Sequence, residues 1–126
     1  MYAALDRDTM WAEWTRATSG RVDAQKEERI VCTLVLDLRV LDLRAEATRK
    51  ALGVTLRQLT SAWSPDAPNR ACLAVARAAR DAGADGFVVP SAARADGWNI
   101  AVLPAAFHRV AVARQIRSHP LPAARG

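Results

Sequence analysis

Apolar and polar positions alternate along the chain with two periods, and the switches between them divide it into short helices and strands. Tyr2-Ala3-Ala4-Leu5 is a short apolar run that reads as a strand and is broken by Asp6 to Asp8. Met10, Trp11, Trp14 and Ala17 recur at helical spacing. They predict a helix capped by Asp8 or Thr9 and ended by Ser19-Gly20. Arg21 to Arg29 is charged and reads as a surface loop. Ile30 to Leu36 is continuously apolar and β-branched, the pattern of a strand covered on both faces. Val40 to Leu43 is a second short apolar segment.

In the middle of the chain, Ala45 to Leu52 is helical in composition and stops at Gly53, and Thr55 caps a short helix through Leu59. Ser64 to Pro68 is a turn-rich hinge, and a proline there favours a helix start close by. Asn69 to Ala82 has the clearest helical pattern. Leu73 and Ala76 lie on its apolar face, with Arg70, Arg77 and Arg80 on another, and Gly83 stops it. Gly86 to Val89 is a strand ended by Pro90, Ala92 to Gly97 a loop, and Trp98 to Leu103 a strand. Phe107 to Ile116 suits a terminal strand. About five strands and four helices, without a regular alternation, predict an α+β domain with one mixed sheet and flanking helices.

Composition narrows the class. The 126 residues suffice for one domain; residues 1–117 are expected to form it and 118–126 a disordered tail. Half the residues are hydrophobic and a quarter charged, the balance of a folded soluble protein. No stretch spans a bilayer and no secretory segment opens the chain, so the expected location is cytoplasmic, with no membrane partner. Cys32 and Cys72 lie in separate apolar runs outside any CxxC pair, which reads as buried free thiols and not a metal or redox motif. The net charge of +5 rests on arginines scattered among acids, with Lys26 and Lys50 the lysines. That scatter, in an alanine-rich chain, points to base composition of the gene more than to a nucleic-acid footprint.

Phosphate-loop, dinucleotide-fingerprint and zinc-protease patterns are missing, and His108 and His119 have no paired acid or thiol in register, so no metal is expected. Three positions invite chemistry. Glu13 lies beside Met10 and Trp14 at the edge of an apolar helical face, where a carboxylate needs donors; pairing with Arg16 one turn on is the ordinary alternative. Ser91 follows Pro90 at the end of a buried strand, where rigid scaffolds place functional loops, although a serine there also suits a plain turn. Tyr2 stands before the first loop and helix.

The segment CLAVARAARDAGADGFVVPSA, followed by a loop and WNIAVL, resembles the C-terminal half of the RES domain. There an alanine-rich helix leads through a glycine turn into a strand ending in Pro-Ser-Ala, then to an asparagine-bearing strand. MYAALDRDTMWAEW and LVLDLRVLDLR resemble earlier segments of the same family, and the likeness runs to about Val112. The resemblance implies a fold similar to ADP-ribosyltransferases and a bacterial toxin–antitoxin setting. The implied reaction is cleavage of the nicotinamide–ribose bond of NAD by hydrolysis or phosphorolysis. It further implies Glu13 and Ser91 as catalytic residues, and Tyr2, Ser91 and Asn99 as residues that bind NAD. The implied partner is a cognate helix-turn-helix antitoxin, with no direct nucleic acid. The family's arginine segment, which precedes the tyrosine, has no counterpart here, so the domain is expected to be N-terminally truncated and its activity to depend on such a segment. ADP-ribosyl transfer to a protein is the alternative outcome. A basic nucleic-acid-binding module or a non-enzymatic interaction module are readings of a different class.

Overall fold

The computed structural model describes residues 1–18, 29–61 and 69–118, and its elements follow the chain as β1 (Tyr2–Ala4), α1 (Arg7–Ala17), β2 (Arg29–Leu36), β3 (Val40–Asp42), α2 (Glu46–Leu52), α3 (Leu56–Leu59), α4 (Arg70–Asp81), β4 (Gly86–Pro90), β5 (Trp98–Val102), a 3-10 helix (Pro104–Arg109) and β6 (Val110–Ser118). Four strands form a mixed sheet in the order β1-β5-β4-β3, with β3 parallel to β4 and the other pairs antiparallel. The α+β class with a mixed sheet is therefore observed. The remaining two strands, β2 and β6, pair only with each other among the described residues, as a separate antiparallel ribbon.

Several expectations need correction. Asp6, not Asp8 or Thr9, caps α1: its carboxylate accepts from the Thr9 backbone N–H and hydroxyl, and the helix begins one turn earlier than the apolar pattern does. The β2 strand is not covered on both faces, because Cys32, Thr33 and Val35 are exposed. A continuous apolar run marks burial only when layers lie on both sides, and a two-stranded ribbon lacks the second layer. Cys32 is consequently an exposed thiol, while Cys72 is partly buried. On α4 the core face is Val75 and Ala79, both 0% exposed, whereas Leu73 is 51% exposed. Phe107 and His108 lie in the 3-10 helix begun by Pro104, one element before the last strand. Ser118 belongs to β6, and the expected tail beyond it lies outside the described residues, as do Ser19-Gly20, the Ser64 to Pro68 hinge and His119.

Capping accounts for the short helices. Thr55 and Gln58 exchange side-chain and backbone hydrogen bonds at the start of α3, and Gly53 ends α2 in the left-handed region (φ 68°). Asn69 caps α4 by accepting from the Cys72 N–H and donates back to the carbonyl of Gln58, which ties α4 to α3.

The strand registers fix which side chains share a face. Leu41, Phe87, Val89, Asn99, Ala101, Tyr2 and Ala4 point one way, since Leu41 pairs Phe87, Val89 pairs Asn99, and Asn99 pairs Ala4. At the β3–β4 end, Val75 and Ala79 of α4 cover this face and join Leu43, Val54, Leu59, Phe87 and Val89 in one core cluster. The opposite face packs Val88, Ile100 and Val102 against Ala106, Leu36 and Val110, so the ribbon is anchored through its inner side chains.

Candidate functional site

The same sheet face ends differently at β5 and β1. Asn99 is fully buried between Ala4 and Val89, where an apolar residue would normally sit. Helix α1 crosses here and brings Glu13 down onto it. The carboxylate of Glu13 accepts from the Ser91 hydroxyl at Oε1 (3.0 Å) and from Asn99 Nδ2 at Oε2 (3.3 Å). Asn99 Nδ2 also donates to the Tyr2 hydroxyl at 2.8 Å. All four residues singled out from the sequence therefore meet at one place, although they come from four separate segments. Glu13 turns to Ser91 and Asn99 and not to Arg16, the ordinary alternative one helical turn on.

A cleft of about 540 Å³ opens along the edge strand β1, with α1 on one side and β2 on the other. Glu13, Tyr2 and Asn99 line it. That volume lies within the usual range for small-molecule sites. Ser91 does not line this cleft. It is 6% exposed, stands behind Glu13, and borders a separate cavity of about 440 Å³ beside Trp98.

The electrostatics centre on Tyr2. Burial of its hydroxyl end and the neighbouring negative charge of Glu13 raise the phenol above its ordinary value, and the hydrogen bond from Asn99 works the other way. More than half of the residue's surface is nevertheless exposed (55%), so the ring faces the cleft opening while its hydroxyl is held inside. Asn99 Oδ1 is buried and accepts from no group among the described residues. Its amide orientation is fixed by the two acceptors on Nδ2, since a turned amide would set an oxygen against the Glu13 carboxylate.

The Ser91 turn is bound to α1 by a second set of contacts. The guanidinium of Arg94 donates to Thr9 Oγ1 (3.3 Å) and Asp6 Oδ1 (3.4 Å). Gly97 lies so close to α1 that a Cβ there would come within 2.5 Å of Thr9 Oγ1, which only glycine allows.

Two further residues of the cleft have no site role in the sequence reading, Arg7 and Cys32, the latter read there as a buried thiol. Arg7 lines the cleft and is exposed there. The signal for it was present, because Arg7, Met10 and Glu13 recur every three residues on one side of α1. Cys32 lines the opposite wall on β2. No group of three or more histidine, cysteine or acidic side chains suited to a metal occurs among the described residues, and no described helix is long and apolar enough to cross a membrane.

Comparison with curated proteins and with solved structures returns no match. The family model described as RES domain matches residues 1–124, and the chain therefore belongs to the RES-domain family.

Proposed function

We propose that the cleft binds NAD with its nicotinamide-bearing ribose against Glu13, and that the domain cleaves the nicotinamide–ribose bond, as the toxin of a toxin–antitoxin pair. The observation that carries this reading is the Glu13 carboxylate held in the cleft beside Tyr2 and Asn99 in a RES-domain chain. Breaking the bond sends its electron pair to the pyridinium nitrogen, so nicotinamide departs neutral and needs no acid. Positive charge develops on the ribose carbon and ring oxygen. A fixed carboxylate stabilises that charge more strongly than it stabilises the ground state. Water or phosphate then forms the new bond to the ribose carbon, and where water attacks, Glu13 takes its proton.

Tyr2 offers an aromatic ring at the opening for the nicotinamide, and Arg7 offers a cation for the pyrophosphate. Met1, Tyr2 and Leu5 expose 43%, 55% and 44% of their surfaces at this end of the molecule. Such an apolar margin suits a protein partner that covers the cleft, the role of the antitoxin.

Incubation of the purified protein, and of a form preceded by the family's arginine-bearing segment, with NAD labelled in the adenosine half tests the reading. Free nicotinamide with label in ADP-ribose or its phosphate ester is the expected result. Label on protein would instead mean ADP-ribosyl transfer, and intact NAD with no detectable binding would overturn the reading.

A further inference from the structure

Resting on the NAD reading above, we propose that Ser91 is a positioning residue which acts only through Glu13, and that its hydroxyl neither attacks nor touches the substrate. A serine hydroxyl has one proton to donate and two lone pairs to accept with. Here all three are used inside the protein. The proton goes to Glu13 Oε1, while the lone pairs accept from the backbone N–H groups of Ala93 (3.1 Å) and Arg94 (3.2 Å). A nucleophile needs a free lone pair aimed at the substrate, and this oxygen has none. The side chain is also kept out of the cleft: it is buried, the cleft lined by Glu13, Tyr2 and Asn99 does not include it, and the cavity it borders is the separate one beside Trp98.

The same geometry explains what the hydroxyl does. Two N–H donors on Oγ polarise the O–H bond and strengthen its donation to the carboxylate. Asn99 supplies the second donor, at Oε2, so each oxygen of Glu13 is held by one neutral group and the plane of the carboxylate is fixed. The Arg94 contacts to Thr9 and Asp6 keep the turn in register with the helix that carries Glu13. An orientation error of about 1 Å in such a group costs on the order of a hundredfold in rate.

The test compares S91A, S91T and S91C with the wild-type protein by NAD kinetics, by mass spectrometry after exposure to NAD, and by NMR of the ring-labelled tyrosine. Tyr2 is the chain's one tyrosine, so it gives a single ring signal. S91A is expected to lower kcat about tenfold to a hundredfold with KM changed less than about twofold. It is also expected to displace the Tyr2 signal and its titration midpoint, because the Glu13 carboxylate beside it is released on one side. S91T keeps a hydroxyl and is expected to hold both near wild type. S91C, whose thiol is a weak donor, is expected to behave like S91A. An ADP-ribosyl adduct on residue 91 of the wild type or of S91C would overturn the proposal, as would an S91A protein whose KM rises while Tyr2 titrates as in the wild type. Should no variant or wild type act on NAD, the function reading fails, and the Tyr2 signal still decides whether Ser91 holds Glu13.

Discussion

Two helices cover the same face of the sheet and meet opposite demands. Helix α4 sets Val75 and Ala79 on Phe87 and Val89, side chains that need no hydrogen-bond partner. Helix α1 sets Glu13 on Asn99 and Tyr2, one strand further along. The first contact gains stability by removing apolar surface from water. The second places a carboxylate and an amide where burial is costly unless every group finds a partner, and it leaves Asn99 Oδ1 without one among the described residues. An apolar contact and a polar one are thus divided along one sheet, with the boundary between Val89 and Asn99, which are paired neighbours.

The sharpest way to break that division is to exchange the expected effects of its two halves. Glu13→Ala is expected to reduce nicotinamide release about a hundredfold to a thousandfold, because a preorganised charge at the developing cation is lost. Its melting temperature should change little, and a collapse of the fold measured by circular dichroism would make Glu13 a structural residue. In the other half, Leu43→Ala is expected to cost about 3 kcal/mol in urea unfolding, since Leu43 is fully buried, while folded molecules keep their affinity for NAD. Arg7→Ala is expected to raise KM about fivefold to tenfold with kcat held, and the wild-type KM should rise with salt where the mutant's does not.

Asp6→Ala is expected to cost about 1 kcal/mol through loss of the α1 cap. The hydrogen bond from the Thr9 N–H is the largest cause holding the Asp6 carboxyl below its ordinary value, followed among the stabilising causes by the Thr9 hydroxyl and Arg94. A depressed carboxyl contributes stability above its unfolded value, about pH 4, and loses it as the pH falls through the lowered folded value. The difference in stability between wild type and D6A should therefore shrink under acid, and a difference that grows would refute the cap. The smallest effect concerns the thiols. Exposed Cys32 is expected to alkylate faster than Cys72, whose thiol is pushed up by burial and donates to the Leu59 carbonyl, and saturating NAD should protect Cys32.

The sequence told these two halves apart unevenly. The short helices α2 and α3 were legible because Gly53 and Thr55 act within a few residues, and α4 from its helical pattern before Gly83. The strands β4 and β5 were legible from their apolar runs and from Pro90 and Gly97 between them. The sheet's division into four strands and a ribbon was not, because β2 carries the composition of a buried strand and periodicity does not reveal its partner. Glu13, Ser91, Asn99 and Tyr2 were each ambiguous alone, and it was their order in the RES pattern that gathered them. Their hydrogen bonds span between 78 and 97 residues of chain, a distance no local pattern encodes. Arg7 went unnoticed because an exposed arginine in a first helical turn looks like any solvated charge until the cleft beside it is known.

The central claim is that a dinucleotide sits between Tyr2 and Glu13, and the ring signal of Tyr2 reports on that position directly. Titration of ring-labelled protein with NAD, followed in parallel by calorimetry, should move the signal saturably with the same Kd as the heat of binding. Heat of binding with an unmoved Tyr2 signal would put the nucleotide elsewhere and contradict the account, as would the lack of any response at millimolar NAD.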